Sequence, residues 1–136
     1  MNIVVASDRS ETASRAVAFA AEMARRYEAQ LTIVQAFVPG PVPAGAETDL
    51  AVYAEQMGGP GTRARVVAGD DPASAIVAAA EAENADVLVV GNIGMSGRRE
   101  FLLGNVPNRV SHNARCTVVI VNTTGEPKKK RPWSRT

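Results

Sequence analysis

The stretch Val87-Leu88-Val89-Val90 decides the fold, because it is an uninterrupted apolar run rich in β-branched residues. A strand with one solvated face alternates polar and apolar residues, whereas a strand buried on both faces reads as a continuous apolar run. The stretch Val118-Val119-Ile120-Val121 has the same character. Two such strands indicate a parallel sheet that is covered by helices on both faces.

The remaining elements alternate between strand and helix patterns along the chain. Strands are predicted at 3–6, 31–37, 63–67, 87–90 and 117–121. Helices are predicted at 11–27 with Ser10 as N-cap, at 47–57, at 72–84 with Asp71 as N-cap, and from Asn105 to about Asn113. Right-handed crossovers turn this alternation into an α/β fold, a doubly wound five-stranded parallel sheet with strand order 3-2-1-4-5.

Length and composition favour one globular domain in residues 1–122. The chain has 136 residues, of which 46% are hydrophobic, and a single cysteine. One cysteine excludes an internal disulfide and an all-protein thiolate metal site, which favours a reducing cytoplasm. No apolar run approaches the ~18 residues that a membrane helix needs, and no basic-apolar leader precedes the first strand. We therefore expect a soluble cytoplasmic protein without a membrane partner.

Residues 123–136 differ in composition and are predicted to form a disordered basic tail. Residues 126–136 hold five basic residues and one acid, and the rest of the chain holds ten arginines and thirteen acids. The run Lys128-Lys129-Lys130-Arg131 could act as a nuclear localisation signal or an electrostatic anchor, but a solvated tail is the favoured interpretation. An acidic body makes nucleic acid an unexpected partner.

A carboxylate and a set of glycines carry the functional signal. Asp8 ends the first strand, and Gly91, Gly94, Gly97 and Gly104 lie between the fourth strand and the last helix. Ligands of open α/β sheets bind outside the carboxyl ends of the strands, where the strand order reverses. There, glycine backbone and helix amides could approach a phosphate while a carboxylate accepts hydrogen bonds from ribose hydroxyls.

The glycines alone could simply permit tight turns. Two other glycine motifs that bind phosphate are excluded by their spacing. A P-loop needs a lysine after its last glycine, and none is near. The dinucleotide fingerprint follows the first strand, whereas these glycines follow the fourth.

The segment Gly91-Asn92-Ile93-Gly94, nine residues and then Gly104-Asn105-Val106 resembles the Gly-x2-Gly-x9-Gly-Ser/Thr loop of the universal stress protein family, in its ATP-binding branch. Leu102-Leu103 before Gly104, residues 114–121 and Asp8 in an Asp-x-Ser context also resemble that family. The resemblance implies the fold that the family shares with adenine-nucleotide α-hydrolases. One departure is Asn105, which stands in place of Ser or Thr but could still cap the helix.

The resemblance also implies the ligand and its contacts. Asp8 would contact adenosine, Ala36 would present backbone to adenine, and Gly94, Gly104, Asn105 and Val106 would hold phosphates. Apart from the resemblance, Arg98 and Arg99 within the loop could pair with phosphates, or both could form a solvated loop face. The complete predicted site is Ala6, Ser7, Asp8, Ala36, Val90, Gly91, Ile93, Gly94, Arg98, Gly104, Asn105 and Val106. The ligand would be ATP or AMP, and Mg²⁺ would accompany ATP.

Three hypotheses for function follow. The leading one is a cytoplasmic adenine-nucleotide-binding regulator of a stress response that is not an efficient enzyme and that forms a homodimer through the last strand, 117–121. The second is a dimeric interaction module of the same family that binds no nucleotide. The third is a nucleotide hydrolase or phosphotransferase that uses Asp8 to hold magnesium.

Other residues with chemical potential are interpreted as structural. His112 and Cys116 cannot form a metal triad. Asp70 and Asp71 could suggest a magnesium or phosphoacceptor site, but such a site also needs a lysine near the last strand, and none is there. Asp71 is therefore predicted to act as a helix cap, and no resident metal is predicted.

Overall fold

The strands predicted from the apolar runs are all present in the computed structural model, which describes residues 1–92 and 105–123. They are β1 (Asn2–Ala6), β2 (Gln30–Phe37), β3 (Arg63–Ala68), β4 (Val87–Gly91) and β5 (Thr117–Val121). The helices described between them are α1 (Glu11–Tyr27), α2 (Ala46–Gly58), α3 (Pro72–Ala82) and α4 (Val106–Asn113). All of these elements begin and end within two residues of their predicted bounds.

The strands form one parallel sheet in the order β3-β2-β1-β4-β5. The predicted fold class and strand order are thus confirmed. β1 lies at the centre, paired with β2 on one side and with β4 on the other. Among the described residues, no helix has both the length and the apolar character needed to cross a bilayer.

Hydrophobic cores on both faces of the sheet explain the continuous apolar runs. On one face, Ile3 and Val5 of β1 pack with residues of α1 and α2. On the other, Val4 and Ala6 of β1 pack with residues of α3 and α4. Successive strand residues point to opposite faces, so a central strand needs an apolar residue at every position. The run at 87–90 fits this explanation, because its members are divided between the two cores.

The second apolar run, in β5, is not buried on both faces as predicted. β5 is an edge strand, and Ile120 is 46% exposed. A single neighbouring strand and few helix contacts leave the side chains of an edge strand partly accessible. Tyr27 shares the helical spacing of the core-facing residues of α1 but does not reach the core. It is 64% exposed, because it is the last residue of α1, where the chain turns at Glu28 through a left-handed conformation.

The helix starts follow local capping rules. The side chain of Ser10 accepts a hydrogen bond from the Ala13 amide at 3.1 Å and so caps α1. Asp71 caps α3 in the same way, because its Oδ2 accepts from the Ser74 amide at 2.9 Å. Both predicted N-caps are confirmed. Each satisfies a donor that has no partner within the helix.

Asp71 also joins α3 to α4 through Arg109. The Arg109 guanidinium donates to both carboxylate oxygens, at 2.6 and 2.8 Å. The hydrogen bonds from Arg109 and then from Ser74 hold the pKa of the Asp71 carboxyl well below its usual range. Because this pKa is lower in the folded chain, the carboxylate adds stability above its unfolded-state pKa of about 3.9 and loses that contribution as the pH falls further.

We expect replacement of Asp71 to destabilise the fold in a graded way. Asp71→Ala removes the cap and the ion pair and should cost about 1–2 kcal/mol at pH 7. Asp71→Asn keeps a capping oxygen and should cost less, and its difference from the wild type should shrink between pH 5 and pH 3. Urea unfolding at several pH values measures both effects, with Asp70→Asn as the matched control. An Asp71→Asn deficit that stays constant on acidification would contradict this assignment.

Candidate functional site

The carboxyl ends of β1 and β4 lie side by side at the end of the sheet where all of its strands finish. The two strands run parallel, with Val5 opposite Val89. The chain leaves β1 toward α1 on one face, and α4, which follows β4 in the described chain, packs on the other face. Asp8 stands two residues past β1, and Gly91 ends β4. Both therefore leave the sheet at the reversal of strand order, where open α/β sheets bind ligands.

The turn that carries Asp8 is fixed by hydrogen bonds on both sides of this residue. Ser7 is fully buried, and its backbone N–H donates to the carbonyl of Val34 in β2 at 2.9 Å. The Ser7 hydroxyl oxygen accepts from the backbone N–H of Arg9 at 3.0 Å. Asp8 Oδ1 in turn accepts from the backbone N–H of Ser10 at 2.9 Å. The carboxylate is thus oriented by its own turn, and carboxylate oxygens accept hydrogen bonds from hydroxyl groups.

Gly91 is enclosed by the segment that follows β5. A Cβ atom built on Gly91 would lie 3.0 Å from Cγ2 of Thr123, so a side chain at this position would displace that threonine. Asn92 holds Thr123 in place, because Asn92 Oδ1 accepts from the Thr123 amide at 2.9 Å and from its hydroxyl at 3.0 Å. The Asn92 amide nitrogen Nδ2 also donates to Asn122 Oδ1 at 3.3 Å.

The contact between Asn92 and Thr123 was not predicted from the sequence. Thr123 is 2% exposed and hydrogen-bonded, so the first residue of the predicted tail is packed against the body of the protein. The pair is 31 residues apart in the chain, and only the neighbouring positions of β4 and β5 bring them together. Residues 124–136, the rest of the predicted tail, lie outside the described residues.

The first turn of α4 presents backbone amides that the Asn105 side chain does not cap. Asn105 is the N-cap residue, but its backbone is left-handed, with φ 44° and ψ 54°, and its side chain makes no capping hydrogen bond. The expected side-chain cap is therefore wrong, because capping needs an extended N-cap backbone. Its carbonyl still accepts from the Arg109 amide at 3.0 Å. A helix N-terminus with such amides attracts an anion.

Several predicted site residues have buried side chains. Ala6, Val90 and Val106 pack into the core that lies between the sheet and α3 and α4. A ligand at the strand ends could therefore meet only their backbone. Ala36, in β2, is partly buried against the same core and lies one residue before the end of its strand. The predicted residues Ile93, Gly94, Arg98 and Gly104 lie outside the described residues.

His112 and Cys116, which were predicted to be structural, lie at the end of α4 and just beyond it. His112 is exposed in the last turn of α4. Cys116 is half-buried just before β5, and burial raises the pKa of its thiol. Within residues 1–92 and 105–123, no three His, Cys, Asp or Glu side chains form a group that could hold a metal ion.

Two cavities lie at the opposite end of the sheet, beside the amino ends of the strands. One has a volume of about 270 Å³ and is lined by the end of α3 and by Ala114, Arg115 and Cys116. The other, of about 230 Å³, lies between the ends of α1 and α2. Neither cavity is lined by a predicted site residue. The candidate site is therefore assigned from strand topology and hydrogen bonding, and not from cavity volume.

Comparison with known proteins identifies the family. The sequence profile of the universal stress protein family matches residues 1–122. The chain belongs to the universal stress protein family. Universal stress protein Rv1636 of Mycobacterium tuberculosis (strain ATCC 25618 / H37Rv) is 34% identical over 142 residues, which cover 90% of this chain and 96% of that protein.

Solved structures of universal stress proteins agree with the fold. A universal stress protein in complex with cAMP is 35% identical and has a TM-score of 0.73. The match covers 91% of this chain and 98% of the chain in that structure. A universal stress protein from Archaeoglobus fulgidus in complex with dAMP is 24% identical and has a TM-score of 0.66. The match covers 90% of this chain and 98% of the chain in that structure. At that identity, the second likeness supports the fold alone.

We expect Asn92→Ala to destabilise this universal stress protein by about 1–3 kcal/mol, because the amide and hydroxyl of buried Thr123 would lose their acceptor. Asn92→Asp keeps an acceptor oxygen at this position and should cost less. Chemical denaturation of the two variants measures the difference. Equal losses for both would contradict the role assigned to the acceptor.

Proposed function

We propose that this universal stress protein binds an adenine nucleotide at the carboxyl ends of β1 and β4. The observation that carries the proposal is that three features lie at the same end of the sheet, where its strands have their carboxyl ends. These are the oriented carboxylate of Asp8, the enclosed backbone at Gly91 and the first-turn amides of α4 that the Asn105 side chain leaves uncapped. Carboxylate oxygens suit sugar hydroxyls, whereas peptide amides suit phosphate oxygens.

The proposed ligand is AMP, ATP or a related adenine nucleotide. Support comes from the relative at 35% identity whose structure is a complex with cAMP. In our proposal, Asp8 accepts hydrogen bonds from the ribose, and the backbone of Ala36 and Gly91 lines the base. Gly94, Gly104, Asn105 and Val106 would contact phosphate through their amides, with Arg98 beside them. Mg²⁺ would enter only with ATP.

We further propose that nucleotide occupancy regulates a cytoplasmic stress response. The described part of the proposed site contributes backbone amides and the carboxylate of Asp8, which are groups that hold a nucleotide. Phosphoryl transfer also requires a positioned base or water-orienting group and a means of neutralising the developing charge. A binding role therefore fits these residues better than efficient turnover does.

The binding proposal predicts that AMP or ATP with Mg²⁺ raises the thermal unfolding midpoint. A ligand present at 100 times its Kd adds about 2.7 kcal/mol to the stability of the folded state. Asp8→Asn keeps an oxygen that can accept from Ser10 but removes the charge that would face the ribose. We expect it to weaken binding by about 10-fold to 100-fold.

Isothermal titration calorimetry with AMP, cAMP and ATP measures these affinities, and Asp49→Asn on the exposed face of α2 is the matched control. If millimolar nucleotide gives the wild type neither heat nor a thermal shift, the nucleotide proposal is wrong. The chain would then be better described as an interaction module of the family.

We also propose a homodimer formed through β5. The two edge strands of the sheet differ in charge: β3 carries Arg63 and Arg65, both paired with Glu83, whereas β5 consists of threonine, valine and isoleucine. Charged side chains discourage pairing between edge strands, and an apolar edge favours it. A second copy of the same edge is the natural partner in a two-fold dimer.

The dimer proposal predicts that Ile120→Asp shifts the protein toward monomer in sedimentation velocity. Ile120 is exposed, and a carboxylate there would be desolvated in the dimer. Val52→Asp, which changes an exposed valine on α2, is the control and should leave the sedimentation coefficient unchanged. A wild type that sediments as a monomer at high micromolar concentration would refute the dimer.

A further inference from the structure

The residue that follows Asp8 has an unfavourable backbone conformation. Arg9 has a φ of 69°, in the left-handed region that glycine adopts readily and other residues seldom do. Such a conformation persists where the surroundings hold it in place. Two contacts do so here. The backbone N–H of Arg9 donates to Ser7 Oγ, and its guanidinium carbon lies 4.3 Å from the centroid of the Tyr53 ring.

Tyr53 is fixed by its packing on the other side of this contact. It lies on α2, and its partly buried side chain packs against the core formed by the sheet, α1 and α2. Its hydroxyl oxygen is buried and has no hydrogen-bond partner among the described residues. The hydroxyl therefore adds no polar contact there, and the aromatic ring is the part of the side chain that meets Arg9. A guanidinium over an aromatic face at this distance forms a cation–π interaction.

The contact between Arg9 and Tyr53 joins the β1–α1 turn to α2, and Asp8 lies inside that turn. Ser7 anchors the turn to β2 on one side, and Arg9 anchors it to α2 on the other. Between these anchors, the left-handed Arg9 lets the backbone N–H of Ser10 return to Asp8 Oδ1. The direction of the carboxylate thus depends on a conformation that the Arg9 side chain helps to hold.

We propose that Arg9 and Tyr53 form a clamp that positions the Asp8 carboxylate for the sugar hydroxyls of a nucleotide. This inference rests on the proposed function for its ligand and adds two positioning residues to the site. Neither residue needs to touch the ligand. Both act through Asp8, and so determine how strongly the site favours a ligand with a ribose.

The first test examines the clamp without nucleotide. The amide proton chemical shift of Ser10, recorded by NMR, reports its hydrogen bond to Asp8. We expect this shift to move in Tyr53→Leu and in Arg9→Gln, which removes the cation, and to stay in place in Tyr53→Phe, which keeps the ring. Arg9→Gln leaves the core around Tyr53 intact, so this variant gives a result if Tyr53→Leu folds poorly. An unchanged Ser10 shift in both disruptive variants would overturn the clamp, whatever the protein binds.

The second test measures AMP affinity by titration calorimetry in two backgrounds. In the wild-type background, Tyr53→Leu should weaken binding about 5-fold to 10-fold, and Tyr53→Phe less than twofold. In the Asp8→Ala background, Tyr53→Leu should cause no further loss, because the group that the clamp positions has already been removed. Tyr27→Leu, at the exposed end of α1, is the control and should leave affinity unchanged.

The outcomes separate the clamp from the proposed function. Equal losses from Tyr53→Leu in both backgrounds would assign Tyr53 a general structural role and overturn the clamp, while nucleotide binding would stand. A wild type that binds no AMP, cAMP or ATP would overturn the proposed function and the ligand named for the clamp. In that case, the Ser10 chemical shift would still decide whether Arg9 and Tyr53 orient Asp8.

Discussion

The burial of β1 on both faces, between two parallel neighbours, is the constraint on which the rest of this structure depends. Ile3 and Val5 point into one core, and Val4 and Ala6 point into the other. A strand packed in this way cannot slip by one residue without sending each side chain to the opposite face. Its end is therefore fixed relative to the ends of β2 and β4, and so is the start of the turn that carries Asp8. The position of the candidate site therefore follows from the apolar packing of β1.

The groups that are proposed to face the nucleotide are mostly backbone groups, so few side chains in the sequence mark the site. The first turn of α4 offers its amides because Asn105 is left-handed and its side chain does not cap them. Gly91 can lie against Thr123 because it has no side chain. Every residue except proline, which stands at position 107 in the first turn of α4, carries a peptide N–H, so such a site depends on chain path more than on most residue types. Its one described carboxylate, Asp8, stands where the ribose is proposed to bind.

Long-range polar contacts hold the segments around this end of the sheet. Asn92 joins the end of β4 to the segment after β5, and Asp71 joins the start of α3 to the first turn of α4. Arg9 joins the β1–α1 turn to α2. Apolar packing positions the strands and helices, but a turn that leaves the sheet has little apolar surface to bury. Directional hydrogen bonds and a cation–π contact supply the order that packing cannot.

The sequence by itself determined the parallel sheet, the alternation of strands and helices, the caps at Ser10 and Asp71, and the family. These features arise from local patterns: continuous apolar runs, helical spacing, and side chains that bond to amides three residues away. Only the tertiary structure decided that the apolar run of β5 is partly exposed, that Asn105 does not cap α4, and that Thr123 belongs to the folded body. Only the tertiary structure, likewise, placed Arg9 on Tyr53. These outcomes depend on which segments become neighbours, and contacts between residues about 30 or more positions apart leave no periodic signal in the sequence.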